Sequence, residues 1–463
     1  MTEPPLQAPP ETAPPPASRE ARQAARRLRV RRPIHAPLRL LASLLAGLAL
    51  GACGGGGGGG TPPPTTKLAP PSASFLVDYL YDWYYWVGRL PPAPAPGTYA
   101  DANAALAALK VAEDRYSYIE PAASYDAFFD QGRSLGFGIT YQIEADALAL
   151  RLVQSRSPAH AAGLRRGDRI VAIDKQPIAE LLAASTLEAA FGPTEVGAGL
   201  EFTVRRGGQI LSIAVARDWY DLTYVIAPGI HDAGGRRVGY VNFYSFGRLG
   251  VAPWQAALDR LLLQGAQDLV VDLRENGGGL VAVAAEVGSA LGQDDLAGRV
   301  MGRLEFNAAH TNANRSFVFS SDPRAGRFER IVWLTGPRTC SASEILIAGL
   351  EPWRPATRIG SASCGKPVGF TPPSHEGWVF SVVSFSTRNA LGDGDYYNGL
   401  APDCEVPDAV AGEFGAADEP LLAAALGWLA DGRCPAPASA KSVHTMPRFD
   451  DSLRGLSTLT GLR

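Results

Sequence analysis

Twice in this chain a short apolar run breaks into a turn of small residues and resumes as an apolar helix, and that pattern restricts the fold more than any other feature. From Ile331 to Phe370 the order is IVWLTG, then TCSASEILIAGL, then RIGSASCGKPVGF. The first run reads as a buried strand. Ser341, Ser343 and Glu344 stand at the mouth of a short apolar helix, and Lys366 follows a second strand-like run. A serine on the turn between a buried strand and a helix N-terminus lies near unpaired backbone N–H groups, which can stabilise the oxyanion formed when a carbonyl is attacked. The plainer reading makes Ser341 and Ser343 helix caps and Lys366 a solvated cation. Taken singly, these residues favour the plainer reading.

The second instance is LVVDLRENGGGL, Leu269 to Leu280, whose glycines can bring a backbone N–H close to a bound carbonyl. With both turns in view the chain resembles the tail-specific, or C-terminal processing, serine proteases. That family pairs a DLRxNxGG-like turn with an SASE-like nucleophile turn and a GK-type lysine, here Asp272 to Gly279, Ser341 to Glu344, and Gly365-Lys366. Its nucleophile is the first serine of SASE, and the 25-residue spacing to Lys366 selects Ser341 over Ser343. The resemblance implies a Ser-Lys dyad in which a neutral Lys366, favoured by desolvation, takes the Ser341 proton. It also implies an oxyanion site made by the backbone N–H groups of Gly278 and Ala342. The chain departs from the family at Phe370, where several members carry a glutamine that orients the lysine. That departure motivates a rival expectation: a peptide-binding lipoprotein with a protease-like scaffold and little or no catalysis.

The rest of the chain supplies the setting. At 46% hydrophobic and 19% charged it has the composition of a soluble globular protein, and a net charge of −3 gives no sign of a nucleic-acid partner. Residues 1–52 read as a signal peptide with an extended basic N-region, including RRLRVRRP, and an apolar run from Leu38 to Leu50. Leu50-Gly51-Ala52-Cys53 resembles a bacterial lipoprotein box, in which Cys53 is lipidated, and the Gly/Pro-rich stretch through residue 73 is then a tether. The expected location is the bacterial cell envelope, on the periplasmic side or at the outer membrane, with the membrane as a partner through the lipid.

Residues 74–131 carry helical, aromatic signals, read as core. Residues 132–220 form a candidate PDZ-like module: a glycine-bearing loop into a strand, a second strand, the helix-turn-strand run SPAHAAGLRRGDRIVAIDKQPI, and a hairpin about Gly207-Gly208. Such modules add an extended peptide to a sheet edge and hold its carboxylate in a backbone nest, expected at Leu135, Gly136, Phe137 and Gly138. From 221 to 435 strands and helices alternate, implying an α/β catalytic domain with a partly parallel sheet and both turns at strand C-terminal ends. FSVVSFSTR reads as one strand, NGLAPDCEV resembles the family's closing motif, and residues 436–463 are expected to be a flexible tail.

Lipidation of Cys53 leaves four cysteines in an oxidising compartment, allowing three complete pairings. We favour Cys404 with Cys434, and Cys340 with Cys364, which would staple the serine and lysine turns. A competing reading makes Cys340 a nucleophile, but no histidine stands at a paired position. No cysteine spacing looks like a zinc site, no cofactor is expected, and His310 and His375 have no motif behind them. The expected partners are protein or peptide substrates.

Overall fold

The computed structural model describes residues 68–435. The expected signal peptide, Cys53, most of the tether and the tail after residue 435 lie outside the described residues. No helix among the described residues is long and apolar enough to cross a membrane.

The fold is organised by a six-stranded sheet with spatial order Val225–Ala233, Arg236–Phe243, Asp268–Asp272, Arg330–Thr335, Thr357–Gly360, Cys404–Glu405. The first pair is antiparallel and all later pairs are parallel. Parallel strands are covered on both faces, which explains the unbroken apolar runs. Leu269, Val271, Ile331 and Trp333 face one core with helices Val251–Leu263, Val281–Leu291 and Ala342–Leu350. Val270, Val332 and Leu334 face the other, under helix Pro420–Asp431. Asp272 pairs with Leu334, so both turns leave the C-terminal ends of adjacent parallel strands. Sites in open α/β sheets collect at that end.

A second, antiparallel sheet runs Arg315–Val318, Val300–Phe306, Val383–Asn389, Val368–Phe370. The stretch FSVVSFSTR, expected as one strand, is two. Trp378–Ser381 pairs with Tyr118–Pro121, and Val383–Asn389 joins the second sheet, with Val382 between them buried. The N-terminal region is correspondingly less helical than its sequence implies. Helices Ala73–Trp83, Ala102–Leu109 and Ala122–Phe129 are interrupted by the strand Tyr118–Pro121, whose register comes from a partner about 260 residues away and not from local periodicity. Ser72 and Asp101 cap the first two helices through their side chains. Leu76, Leu80, Tyr84, Leu106 and Tyr116 share one core with Val368, Phe380, Val382 and Val383, so this region supports the strand after Lys366.

The PDZ-like module is an antiparallel sheet in the order Ile139–Ile143, Leu148–Val153, Arg169–Ile173, Gly199–Arg206, Gln209–Ala216. Ser157 caps the short helix Pro158–Ala161, and Gly207-Gly208, both at positive φ, close the last hairpin. Leu135 and Gly136 lie in strand Arg133–Gly136, paired with Asp218–Asp221, where a loop was expected. The two chain crossings into and out of the module pair with each other there.

Buried ion pairs fasten this module to the six-stranded sheet. Asp408 receives Arg151 and Arg166 of the module at 3.2 and 2.8 Å and lies 3.6 Å from Arg274. Arg274 also binds Asp272 and Glu419, and Glu419 caps the last helix. Burial alone would push the Asp408 carboxyl up, but Arg274, Arg151 and Arg166 together hold it well below the usual carboxylate range. The folded pKa is below the unfolded one, so this stabilisation is present above about pH 4 and is lost as pH falls through the folded value. Asp408→Asn leaves three guanidinium groups short of a partner and is expected to cost about 3–5 kcal/mol at neutral pH. Denaturant unfolding at pH 7 and pH 3 checks this: the gap to the wild type narrows in acid, and an equal gap at both would contradict it.

Candidate active site

The turn after Asp268–Asp272 is built on Asn276. Its Nδ2 donates to Phe243 O at 2.8 Å, its Oδ1 accepts the Gly278 N–H at 2.8 Å, and its backbone O accepts both the Cys340 N–H, at 3.1 Å, and the Ser343 hydroxyl, at 3.0 Å. The serine turn is thus docked on the glycine turn. Gly278 has φ +106°, and a Cβ there would lie 2.8 Å from Cys340 O and Ser341 Cβ and 3.0 Å from Ala342 N. Only glycine allows that approach. The α-carbon of Gly278 therefore lies against Ser341 and Ala342, while its N–H is engaged by Asn276.

Ser341 is the N-cap of helix Ala342–Leu350 and adopts φ +55°, ψ −115°. For a non-glycine residue this conformation costs about 1–3 kcal/mol, and such strain gathers at functional sites. Ala342 opens the helix, so its N–H is one of the donors with no intrahelical acceptor. Ser343 is not a cap: it lies inside the first turn and spends its hydroxyl on Asn276 O.

Lys366 lies in the loop between Thr357–Gly360 and Val368–Phe370, with Nζ 4.0 Å from the Phe370 ring centroid and 5.8 Å from that of Tyr116. Phe370 is therefore in direct contact with the amine. The Tyr116 hydroxyl donates to Gly365 O, and Arg115 donates to Cys364 O at 3.2 Å and Tyr397 O at 2.8 Å, so the N-terminal region props the lysine turn.

The two turns meet at Glu344, which is fully buried. Its Oε2 accepts the backbone N–H of Ser341 at 3.0 Å and that of Lys366 at 2.8 Å; its Oε1 accepts the Gly365 N–H at 2.8 Å and the Ser363 hydroxyl at 2.5 Å. Burial pushes this carboxyl up, opposed by the Ser363 hydroxyl and the three N–H donors. A disulfide joins Cys340 to Cys364 across the same seam, and a second joins Cys404 to Cys434. Cys340, Cys364 and Glu344 place a possible ligand set together, but sulfurs bonded to each other offer no thiolate to a metal.

In the PDZ-like module Phe137 is fully buried and stacks under the Arg217 guanidinium at 4.5 Å, and Gly138, at φ +79°, packs against Ser157. They lead into Ile139–Ile143, the edge strand of its sheet. From that strand the Thr140 hydroxyl donates to Glu275 of the glycine turn at 3.0 Å; Glu275 also takes Arg151 Nε at 2.5 Å and lies 3.3 Å from Arg338 Nε. His310 stacks on Trp83 and bonds Asp82, and His375 stacks on Phe75, so both pack on helix Ala73–Trp83. The sequence reading gave no role to Glu344, Asn276, Tyr116 or Glu275. Only Glu344 had a local signal, the Ser-x-x-Glu spacing of a capping box.

Residues 237–406 match the family model for peptidase family S41, 136–216 that for a PDZ domain, and 73–118 that for the peptidase S41 N-terminal domain. A carboxyl-terminal-processing protease from Picosynechococcus sp. is 28% identical over 295 residues, 60% of this chain and 65% of that one. A tail-specific protease from Haemophilus influenzae is 24% identical over 261 residues, 54% of this chain and 36% of that one. The chain thus spans less than two thirds of the length of these curated relatives. A candidate S41 protease of known structure from Bacteroides fragilis has the same fold, with TM-score 0.62 at 20% identity over 77% of this chain and 97% of that one.

Removing the Glu344 carboxylate leaves the buried Gly365 N–H and the part-buried N–H groups of Ser341 and Lys366 without this acceptor, at up to about 1–3 kcal/mol for a buried group left unsatisfied. Glu344→Ala is expected to slow labelling of Ser341 by a serine-reactive fluorophosphonate about 100-fold, the scale of a 1 Å misplacement, with the far-ultraviolet circular dichroism unchanged.

Proposed function

Since this chain belongs to peptidase family S41 and carries a PDZ domain, we propose that it is a serine endopeptidase that cleaves extracytoplasmic proteins or peptides through a Ser341–Lys366 dyad. The observation that carries this reading is the single oxygen, Glu344 Oε2, that holds the backbone of both residues. Ser341 Oγ attacks the scissile carbonyl while the neutral Lys366 amine takes its proton and later returns one to the leaving amine. The Ala342 N–H faces the developing oxyanion, joined by Gly278, whose N–H must then turn from Asn276 Oδ1 to the new charge.

The PDZ domain recognises C-terminal or unfolded segments of the substrate by adding them to the open edge of Ile139–Ile143. The names of the relatives, which refer to carboxyl-terminal processing and tail specificity, agree with such substrates. Thr140 gives that edge a direct bond to the glycine turn through Glu275. Lipidated Cys53 tethers the enzyme in the bacterial cell envelope, a step on which metabolic fatty-acid labelling lost in Cys53→Ser bears directly.

A second reading, a peptide-binding scaffold with little catalysis, is favoured by one contact: the Phe370 ring under Lys366 Nζ attracts the ammonium, which is the inactive form. Digestion of an unfolded protein separates the two. Ser341→Ala and Lys366→Ala each abolish it, and the double variant is no worse than either, because one proton-transfer unit is lost once. For the wild type kcat/KM rises toward alkaline pH, since acid favours the ammonium, whereas a histidine base would give a rise near pH 6 to 7 and a plateau. Full activity in Lys366→Ala would leave the dyad without support.

A further inference from the structure

The Cys340–Cys364 disulfide joins the residue immediately before Ser341 to the residue two positions before Lys366. Both half-cystines are buried, at 5% and 8% exposure, and the Cys364 N–H donates to Thr339 O at 3.0 Å, so the bond runs within the seam between the two turns. The other disulfide joins the sheet's edge strand Cys404–Glu405 to Cys434, beyond the last helix.

Glu344 spans the same seam with hydrogen bonds alone, and it already bears the cost of burial. Opening the disulfide replaces a contact of about 2.0 Å with two thiols that need the separation of non-bonded heavy atoms, roughly 3.5–4 Å. In a close-packed interior the turns must part to make that room. A shift on the order of 1 Å between a nucleophile and its base costs about 100-fold in rate.

We infer that the Cys340–Cys364 disulfide is a positioning element for Ser341 and Lys366, so that the chain cleaves peptides in an oxidising compartment and is switched off when a dithiol reduces this bond. The inference rests on the Ser-Lys reading above. The redox step balances within the named reactants: the dithiol supplies two electrons and two protons, the disulfide becomes two thiols, and the dithiol closes to a cyclic disulfide. Oxidised glutathione reverses it.

Four samples test it, each assayed below its own unfolding temperature: oxidised wild type, wild type in dithiothreitol, Cys340→Ser with Cys364→Ser, and Cys404→Ser with Cys434→Ser. The first double variant and the reduced wild type should lose about 100-fold in kcat on an unfolded protein, with KM within about twofold. The second double variant should keep the oxidised wild-type kcat and stay sensitive to dithiothreitol, and reoxidation should restore the wild type. Wild-type kcat in the first double variant overturns the inference, as does a loss confined to the second. Should the first variant not fold, mass spectrometry of partly reduced wild type decides, since the loss of kcat must follow the opening of Cys340–Cys364. An oxidised wild type with no peptidase activity overturns the proposed function itself, and this inference with it.

Discussion

The site depends on one buried carboxylate. Glu344 has no solvent, and burial favours its neutral form, yet it accepts the backbone N–H of Ser341, Gly365 and Lys366. Four donors converging on one carboxylate offset part of the desolvation, which still holds the carboxyl above its usual range. The consequence is geometric. The helix that starts after Ser341 carries, on its third residue, the acceptor for the loop that ends in Lys366, so one side chain ties the helix start to that loop. The strained backbone of Ser341 persists because Asn276 on one side and Glu344 on the other overdetermine it.

The second constraint is the arginine-rich seam between the PDZ domain and the sheet. Arg151, Arg166 and Arg274 meet Asp408, while Arg151 and Thr140 meet Glu275 two positions before Gly277. Buried pairs of this kind add little net stability compared with apolar packing, but they penalise any arrangement that separates the partners. Here they set where the edge strand of the PDZ sheet lies relative to the glycine turn, so events on that strand and in that turn share the Glu275 carboxylate.

What the sequence disclosed follows from which forces are local. The buried strands around Leu269 and Ile331, the turn about Gly207-Gly208 and the helix cap at Ser157 depend on neighbours within a few residues, and their patterns are readable. Tyr118–Pro121 is a strand only because Trp378–Ser381 lies beside it, and the break at Val382 exists because the two halves pair in different sheets. Neither fact leaves a periodic trace. The same holds in the site: the 25-residue spacing marks Ser341 and Lys366, whereas Tyr116, Asn276 and Glu275 act through contacts across the fold. A serine near a helix start is usually a cap, but Ser343 is not; its acceptor, Asn276 O, belongs to another strand's turn.

The claim that Ser341 is a nucleophile activated by Lys366 is tested most directly by mapping covalent attack. The oxidised protein is treated with a fluorophosphonate and the modified residue located by mass spectrometry, with Lys366→Ala treated in parallel. The account predicts one adduct, on Ser341, formed at least 100-fold more slowly without the lysine amine, the scale of general-base assistance. An adduct on Ser343 or elsewhere, or equal rates in the two proteins, would contradict it.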